Sequence, residues 1–327
     1  MATVKGEKDL SVKVSICCAA YNHENYIRQT LDGFLMQKTN FPFEIIINDD
    51  ASTDKTADII REYEKKYPDI IKPLYQTENQ YSKREIVRSF LYSRANGEYI
   101  AMCEGDDFWT DPEKLQKQVD FLDSHPEYSA CVHKYFTVGE DGEPTYLKTF
   151  GDYEKGGRYT IKDLENGELP SQLASLVFRN IIFDEKKKYP VSFDKPKIAG
   201  DVKLFLYLLN FGDIWRMDET MSAYRYIAVV GGNSHASRSI GNYERPYIWW
   251  NACRELEKIY FKEYGKKINI KFRKLDLVFN MIRNLKHNHS LKAIKRTAKA
   301  LIIQRGWFIF ILKKATKKII KIIKRGK

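Results

Sequence analysis

Short apolar runs alternate with amphipathic stretches over the first third of the chain, and this alternation constrains the fold more than any other feature. The runs lie at 12–20, 43–48, 70–75 and 98–103. The segments between them carry apolar residues at helical spacing. Strands that alternate with helices predict an α/β fold, in which a mostly parallel sheet is covered on both faces by helices.

Polar residues stand where three of the predicted strands end. Tyr21 follows the first run, Asp50 follows the second, and Asp106 and Asp107 follow the fourth, within the sequence EGDD. In sheets of this kind the carboxyl ends of the strands meet at one edge, where ligands bind. We therefore expect these side chains to lie close together around a ligand.

The adjacent carboxylates of Asp106 and Asp107 repel each other and lose hydration when the chain packs around them. Such a pair suits a hard divalent cation, Mn²⁺ or Mg²⁺, which takes its other ligands from water and substrate phosphates. A solvated turn is the alternative interpretation of the pair. Asp111, which precedes Pro112, is interpreted as the N-cap of the next helix.

The common glycine-rich phosphate-binding motifs are missing. The first turn has no G-x-G-x-x-G, and the chain contains no G-x-x-x-x-G-K-[ST]. Their absence argues against a dinucleotide fingerprint and a P-loop. A nucleotidyltransferase, which would need a glycine-rich and basic N-terminal loop, is disfavoured because residues 12–26 form no such loop.

Four segments, taken together and in this order, resemble the inverting nucleotide-sugar glycosyltransferases of family 2, which have the GT-A fold. They are VSICCAAYNHENYI, FEIIINDDASTDKTADII, GEYIAMCEGDDFWTDPEKLQKQV and AGDVKLF. The resemblance covers roughly the first two thirds of the chain and implies a GT-A catalytic domain over residues 1–240. The QxxRW motif of processive relatives is absent, which favours transfer of a single sugar over polymerisation.

The resemblance also implies how the nucleotide is held. Ala19, Ala20 and Tyr21 would lie against the nucleotide, with Tyr21 near the base. Asp50 would accept a hydrogen bond from the base, which favours uracil and therefore a UDP-sugar. Asp49 would hold its loop in shape.

At the phosphates, the same resemblance implies that Asp106 sits near the ribose or a metal-bound water and that Asp107 binds the cation bridging the two phosphates. Residues 223–227 and the glycine-containing segment 231–235 resemble the strand and mobile loop that cover the donor in this family. Arg225 and His235 are therefore candidate donor contacts. The family often has a histidine nearer the arginine than this chain does, and a solvent-exposed loop histidine is the alternative for His235.

Inverting transfer also needs a general base, because the acceptor hydroxyl must lose its proton on the face opposite the departing diphosphate. Asp201 fits this role, since Gly200 frees the turn before it and an apolar helix follows. The general base of the family occupies this place, and a helix cap is the alternative role for Asp201. A glycosidase would also use two carboxylates, but it would not need a nucleotide pocket.

Charge divides the chain into two parts. Residues 262–327 contain 21 Lys or Arg and only two acidic residues, a net charge of +19. Because the whole chain carries +12, the remainder is mildly acidic at −7. A basic helical extension over residues 241–327 is therefore predicted to have a partner different from that of the catalytic domain.

The end of the chain has the spacing of a basic amphipathic helix. The residues expected to contact a membrane are Trp307, Phe308, Lys314, Lys317, Lys318 and Lys321. Such a helix lies in the interface of an anionic membrane, and its apolar segment is far shorter than the roughly 20 residues that would span a bilayer. A helix packed on the domain, with a solvated lysine face, is the alternative. Nothing in the tail resembles a reader of bases, so no nucleic-acid partner is expected.

Together these features predict a cytoplasmic protein that lies peripherally on the inner face of the cell membrane. It would be a metal-dependent hexosyl- or N-acetylhexosaminyltransferase that moves a sugar from a nucleotide-sugar donor to a lipid-linked saccharide acceptor, in surface polysaccharide synthesis. The alternative is a non-catalytic GT-A-like scaffold that binds a nucleotide or glycan at the membrane. The five cysteines lack C-x-x-C spacing and are expected to be reduced core residues.

Overall fold

The structure is a computed structural model that describes residues 12–82, 87–145, 147–149, 151–181, 189–228 and 240–304. The chain divides into two compact units. The first comprises Met1–Ile161, Leu169–Tyr189 and Leu204–Ile227, and the second comprises Lys162–Glu168, Pro190–Lys203 and Ala228–Lys327. The predicted division into domains at residue 240 stays a prediction, because residues 229–239 lie outside the described ranges.

The described residues of the first unit form a nine-stranded sheet. Its strands are β1 (Val14–Ala20), β2 (Phe43–Asp49), β3 (Ile71–Tyr75), β4 (Tyr99–Glu104), β5 (Phe108–Trp109), β6 (Tyr128–Val138), β7 (Gly157–Tyr159), β8 (Val177–Arg179) and β9 (Asp213–Arg225). The order across the sheet is β3-β2-β1-β4-β8-β6-β9-β5, with β7 paired to β9 outside this path.

The predicted parallel half of the sheet is confirmed, since β1 pairs in parallel with both β2 and β4, and β2 pairs in parallel with β3. The other half is mixed. β8 runs antiparallel to β4 and β6, whereas β6 and β9 are parallel. The result is a GT-A-like α/β fold with a mostly parallel, mixed sheet.

Some of the helices flank this sheet, and others belong to the second unit. They are α1 (Ile27–Leu35), α2 (Thr56–Lys66), α3 (Val87–Tyr92), α4 (Lys114–Ser124), α5 (Ile161–Glu165), α6 (Gly200–Leu208), α7 (Arg245–Tyr264), α8 (Lys271–Asn284) and α9 (Leu291–Ile303). The central strand β1 has Val14, Ile16 and Cys18 fully buried, and Ile27 and Phe34 of α1 join the same core. A strand covered on both faces carries apolar side chains on both, which explains why apolar residues follow one another without alternation from Ile16 to Ala20.

Two smaller predictions are decided by the structure. All five cysteines are buried and unpaired, as expected. Asp111 is not a helix N-cap, because α4 begins at Lys114 and its N-cap position is Glu113. Asp111 instead accepts the backbone N–H of Glu113 at 2.8 Å and pairs with Lys117 at 2.7 Å. The chain makes an extra turn before the helix, which the Asp-Pro pattern alone did not reveal.

In the second unit, α7 and α8 pack around buried residues that include Trp250, Leu256 and Val278. Lys274 of α8 donates to both carboxylate oxygens of Glu257 at 2.6 and 2.8 Å. Gly265 ends α7 in a left-handed conformation with φ +67°. Among the helices that the structure describes, none is long and apolar enough to cross a membrane.

Candidate active site

The register of the parallel strands brings three loops to one edge of the sheet. Ala20 of β1 lies opposite Asp49 of β2, and Ala19 lies opposite Glu104 of β4. The ladder continues one residue beyond the strands, because Asp50 donates its N–H to the carbonyl of Ala20 at 2.9 Å. The residues predicted from the strand ends therefore do stand at a common edge.

The last residue of β4 and the loop after it carry a cluster of three carboxylates, contributed by Glu104, Asp106 and Asp107. One oxygen of each lies within 4.8 Å of the others. Glu104 is exposed, Asp106 is partly exposed, and Asp107 is only 2% exposed. Sequence reasoning ended the strand at residue 103 and assigned roles to the two aspartates, but it gave no role to Glu104, which is the last residue of β4.

The electrostatics of the cluster centre on Asp107. Burial raises the pKa of Asp107 well above its ordinary value, and the neighbouring charges of Asp106 and Glu104 raise it further, while Arg225 opposes the shift. An all-oxygen donor set of this kind fits Mg²⁺ or Mn²⁺. A bound cation would replace the mutual repulsion with attraction, so the residues present fit the metal that the sequence implies.

Arg225 holds this loop from the end of β9. Its backbone N–H donates to Oδ1 of Asp107 at 2.8 Å, and its Nε donates to the carbonyl of Asp106 at 3.0 Å. Its terminal nitrogens donate to the carbonyls of Gly139 and Glu140 and to Gln29 Oε1. Arg225 is 5% exposed, and its contacts give it a positioning role in the carboxylate cluster. Its predicted contact with the donor stays a prediction.

The loop is also anchored from α1 and leaves no room for a side chain at its tip. The Thr30 hydroxyl donates to the carbonyl of Asp107 at 2.7 Å. A Cβ at Gly105 would lie 2.8 Å from His23 Nδ1 and 3.1 Å from the Cβ of Ala20. His23 in turn places its Nε2 3.9 Å from Oδ2 of Asp106. Sequence reasoning missed both His23 and Thr30, although His23 sits two residues beyond the predicted Tyr21.

The loops after β1 and β2 are tied to each other and contain two strained residues. Asn22 and Ala51 have φ of +55° and +59°, the left-handed region that residues other than glycine rarely adopt. Hydrogen bonds hold this geometry: the Asn22 N–H donates to Ser52 Oγ at 3.0 Å, and the Thr53 N–H donates to Asn22 Oδ1 at 2.8 Å. Backbone strain of this kind is commonly stored at binding sites.

The two acids at the end of β2 have different partners. Asp50 is 3% exposed and accepts the backbone N–H groups of Gln80 and Tyr81 at 2.8 and 3.0 Å, one on each oxygen. Each oxygen keeps a second lone pair, so recognition of the base by Asp50 stays a prediction. Asp49 accepts the Ser52 N–H at 3.3 Å within its own loop, and burial raises its pKa.

The other predicted residues of the nucleotide pocket stand at the same edge. Ala20 is buried, whereas Ala19 and Tyr21 are partly exposed and thus accessible to a ligand.

Asp201 lies in the first turn of α6, is partly exposed, and accepts the Val202 N–H at 2.7 Å. It belongs to the second unit, and its role as general base stays a prediction.

The remaining predicted contacts lie outside the described residues. They are His235 and the membrane residues Trp307, Phe308, Lys314, Lys317, Lys318 and Lys321. Their roles remain predictions from the sequence.

Fold and site together define an α/β protein of the GT-A-like class, with an acidic cluster at the carboxyl edge of its parallel strands. Residues 15–183, more than half of the chain, match the family described as Glycosyl transferase family 2. The chain therefore belongs to glycosyl transferase family 2.

The chain is also similar in sequence to curated proteins and similar in fold to a solved structure. An uncharacterized protein of Mycobacterium tuberculosis is 39% identical over 219 residues, which cover 65% of this chain and 58% of that protein. The putative teichuronic acid biosynthesis glycosyltransferase TuaG of Bacillus subtilis is 28% identical over 76% of this chain and 90% of its own length. The crystal structure of S. aureus TarS 1-349 in complex with UDP-GlcNAc has a TM-score of 0.58 and 18% identity, covering 89% of this chain and 80% of that one.

Proposed function

We propose that this protein is a glycosyltransferase that moves one sugar from a nucleotide-sugar donor to a saccharide acceptor during surface polysaccharide synthesis. The observation that carries the proposal is the cluster of Glu104, Asp106 and Asp107 at the carboxyl edge of a family 2 domain. The B. subtilis relative named for teichuronic acid biosynthesis and the TarS complex with UDP-GlcNAc support it. The sugar would be a hexose or an N-acetylhexosamine.

The donor would lie across the edge formed by the loops after β1, β2 and β4. Ala19, Ala20 and Tyr21 would pack on the nucleotide, and Asp50 would accept a hydrogen bond from N3–H of uracil, so we favour a UDP-sugar. The amides that Asp50 already binds would keep its carboxylate oriented toward the base. The family resemblance and the arrangement of these three loops support this placement of the donor.

The acidic cluster would hold Mn²⁺ or Mg²⁺. When bound, the cation would stabilise the negative charge that develops on the departing diphosphate. Asp107 would be its principal protein ligand, because Asp107 is the most buried of the three carboxylates and the N–H of Arg225 fixes one of its oxygens. Asp106 would lie toward the ribose or a metal-bound water. Arg225, at the end of β9, and His235, in the covering loop, would contact the donor.

Asp201 would act as the general base. Its carboxylate would accept the proton of the acceptor hydroxyl while that oxygen forms a bond to the anomeric carbon. The bond between the anomeric carbon and the diphosphate oxygen breaks on the opposite face, so the configuration inverts. The proton ends on Asp201 and the electron pair on the nucleoside diphosphate.

The acceptor would be lipid-linked, and the enzyme would work at the cytoplasmic face of the cell membrane. The basic, amphipathic pattern of residues 307–327 motivates this part of the proposal, since it is typical of a helix that lies on an anionic membrane. Removing residues 307–327 should lower transfer to a lipid-linked acceptor while leaving UDP binding unchanged. Equal sedimentation of the truncated and intact chains with anionic vesicles would refute the role of the tail.

Transfer and binding assays with a panel of UDP-, GDP-, dTDP- and CMP-sugars test the enzymatic proposal. The intact chain is compared with Asp107→Asn and Asp201→Asn, and with Asp120→Asn on the exposed face of α4 as the matched control. We expect metal-dependent binding of one donor that is lost in Asp107→Asn, and binding without turnover in Asp201→Asn. Failure of the intact chain to bind any donor, or donor binding without transfer, would favour the scaffold alternative.

A further inference from the structure

Helix α9 turns its large apolar side chains away from the unit to which it belongs. Leu291, Ile294 and Ile302 are 66%, 47% and 75% exposed, and Ala298 is also exposed. These four positions are spaced by three, four and four residues, so they form one stripe along the helix. They are called the α9 stripe below.

The side of α9 that packs inward is small and polar by comparison. Thr297 and Ala300 are its buried residues, and the Thr297 hydroxyl donates back to the carbonyl of Ala293 at 2.9 Å. A surface helix normally buries its apolar stripe against the core and exposes its polar face. The reversed orientation of α9 leaves a contiguous apolar surface in solvent, which is typical of a contact site for a partner or a membrane.

Lysines without acidic partners lie beside the stripe. Lys292 and Arg296 reach Glu244 at 3.2 and 2.9 Å. Lys295 and Lys299 are exposed, and neither forms an ion pair with any carboxylate in the part of the chain that the structure describes. Helix α9 itself contains no acidic residue. The stripe is thus flanked by cationic charge that no carboxylate of the described chain neutralises.

We propose that α9 lies on the surface of an anionic membrane, with the α9 stripe in the acyl boundary and Lys295 and Lys299 at the headgroup phosphates. An apolar face edged by lysines complements such a surface in both hydrophobicity and charge. The sequence that follows Gln304 contains nine Lys or Arg and no acidic residue over 305–327, so it adds positive charge without any negative charge. This inference deepens the proposed function, because it rests on an enzyme that meets its acceptor at the membrane.

An environment-sensitive fluorophore on the stripe of the intact chain distinguishes membrane contact by α9 from membrane contact by residues 307–327. The native cysteines are buried, so a thiol reagent should label Ala298→Cys selectively, with Glu255→Cys on the exposed face of α7 as the control site. Vesicles containing phosphatidylglycerol should shift the emission at position 298 to the blue, whereas pure phosphatidylcholine should not, and position 255 should not respond. Binding of the chain to the vesicles with no shift at 298 would overturn the proposal.

Charge-reversal pairs supply a second readout. Lys295→Glu with Lys299→Glu should weaken partitioning into phosphatidylglycerol vesicles by at least about tenfold. The matched pair Lys258→Glu with Lys262→Glu has the same spacing and charge change on α7 and should alter partitioning about twofold or less. Equal losses in both pairs would refute a specific role for α9.

A triple substitution of the α9 stripe distinguishes a failure of the α9 proposal from a failure of the proposed function. The replacement of Leu291, Ile294 and Ile302 by Gln should lower vesicle binding without changing the thermal unfolding temperature or UDP binding. If light scattering instead shows that the intact chain is a dimer and the variant a monomer, and the variant binds vesicles normally, the stripe contacts a second copy and the proposal is wrong. If the intact chain binds vesicles normally but transfers no sugar, the proposed function fails and the role of α9 stands.

Discussion

The backbone N–H of Arg225 donates to the buried carboxylate of Asp107, across 118 residues of sequence, at 2.8 Å. The guanidinium of the same residue reaches the carbonyls of Asp106, Gly139 and Glu140. One residue at the end of β9 therefore sets both the position and the charge environment of the acidic cluster. The shape of the acidic cluster depends on a part of the chain far from the motif that contains the carboxylates.

Arg225→Gln should loosen the acidic cluster as well as the fold. Three partly buried carbonyls would lose a charged donor, so we expect the free energy of unfolding to fall by about 2 to 4 kcal/mol. Mn²⁺ affinity, measured by calorimetry below the unfolding temperature, should fall by about tenfold because Asp107 is less well positioned. Arg158→Gln, which removes an exposed arginine paired with Asp213, should change neither quantity appreciably. Normal Mn²⁺ affinity in a folded Arg225→Gln protein would contradict the positioning role.

Gly105→Ala should distort the loop that carries the carboxylates. The added Cβ would lie 2.8 Å from His23 Nδ1, closer than van der Waals contact allows. We expect about 1 to 3 kcal/mol of destabilisation and weaker Mn²⁺ binding. Combining it with His23→Ala should restore part of the stability, because the nearest clashing atom is removed. If the loss in free energy of unfolding of the double mutant equals the sum of the losses of the two single mutants, His23 is not the source of the strain.

Lys114 should make stability depend on pH. It is fully buried, its Nζ donates to Gln118 Oε1 at 2.7 Å, and it lies 4.0 Å from the centroid of the Trp109 ring. Burial lowers the pKa of Lys114 to about 7. Because this folded-state pKa is below the unfolded value, the unfolded chain binds more protons above pH 7. The free energy of unfolding should therefore rise between about pH 7 and pH 10.

Lys114→Met should remove that slope. At pH 7 the substitution should raise the free energy of unfolding by about 1 to 4 kcal/mol, and the gain should shrink as the pH rises and disappear only above about pH 11, where the lysine of the unfolded chain is neutral as well. Chemical denaturation at several pH values measures the effect. Lys117→Met, which alters a partly exposed lysine of the same helix, is the control. A pH slope that persists in Lys114→Met would assign the titration to another group.

Asp50→Asn should free the loop after β3. An asparagine offers one acceptor oxygen in place of two, so either the Gln80 or the Tyr81 N–H would lose its partner. We expect faster hydrogen exchange at those two amides and roughly tenfold weaker UDP binding. Asp58→Asn, on the exposed surface of α2, should leave both unchanged. Unaltered UDP binding with faster exchange would limit Asp50 to a structural role.

Local patterns predicted the parallel half of the sheet and the place of the acidic pair. The apolar runs at 12–20 and 98–103 are buried strands, and their pairing register puts Ala19 opposite Glu104. Such predictions succeed because strand burial and strand ends are encoded by neighbouring residues. The antiparallel insertion of β8 was not predictable in this way, since the pairing of Val177–Arg179 with β4 and β6 depends on contacts distant in sequence.

By itself, the sequence determined an α/β fold, a carboxylate pair at the end of a buried strand, and a strongly basic C-terminal region. Only the tertiary structure decided that Glu104 completes the cluster, that Arg225 anchors Asp107, and that α9 faces its apolar stripe outward. Periodicity shows that a helix has an apolar side, but only packing decides whether that side meets the core. The same holds for the cluster, because hydrogen bonds between residues far apart in sequence form only when the strands that carry them are brought together.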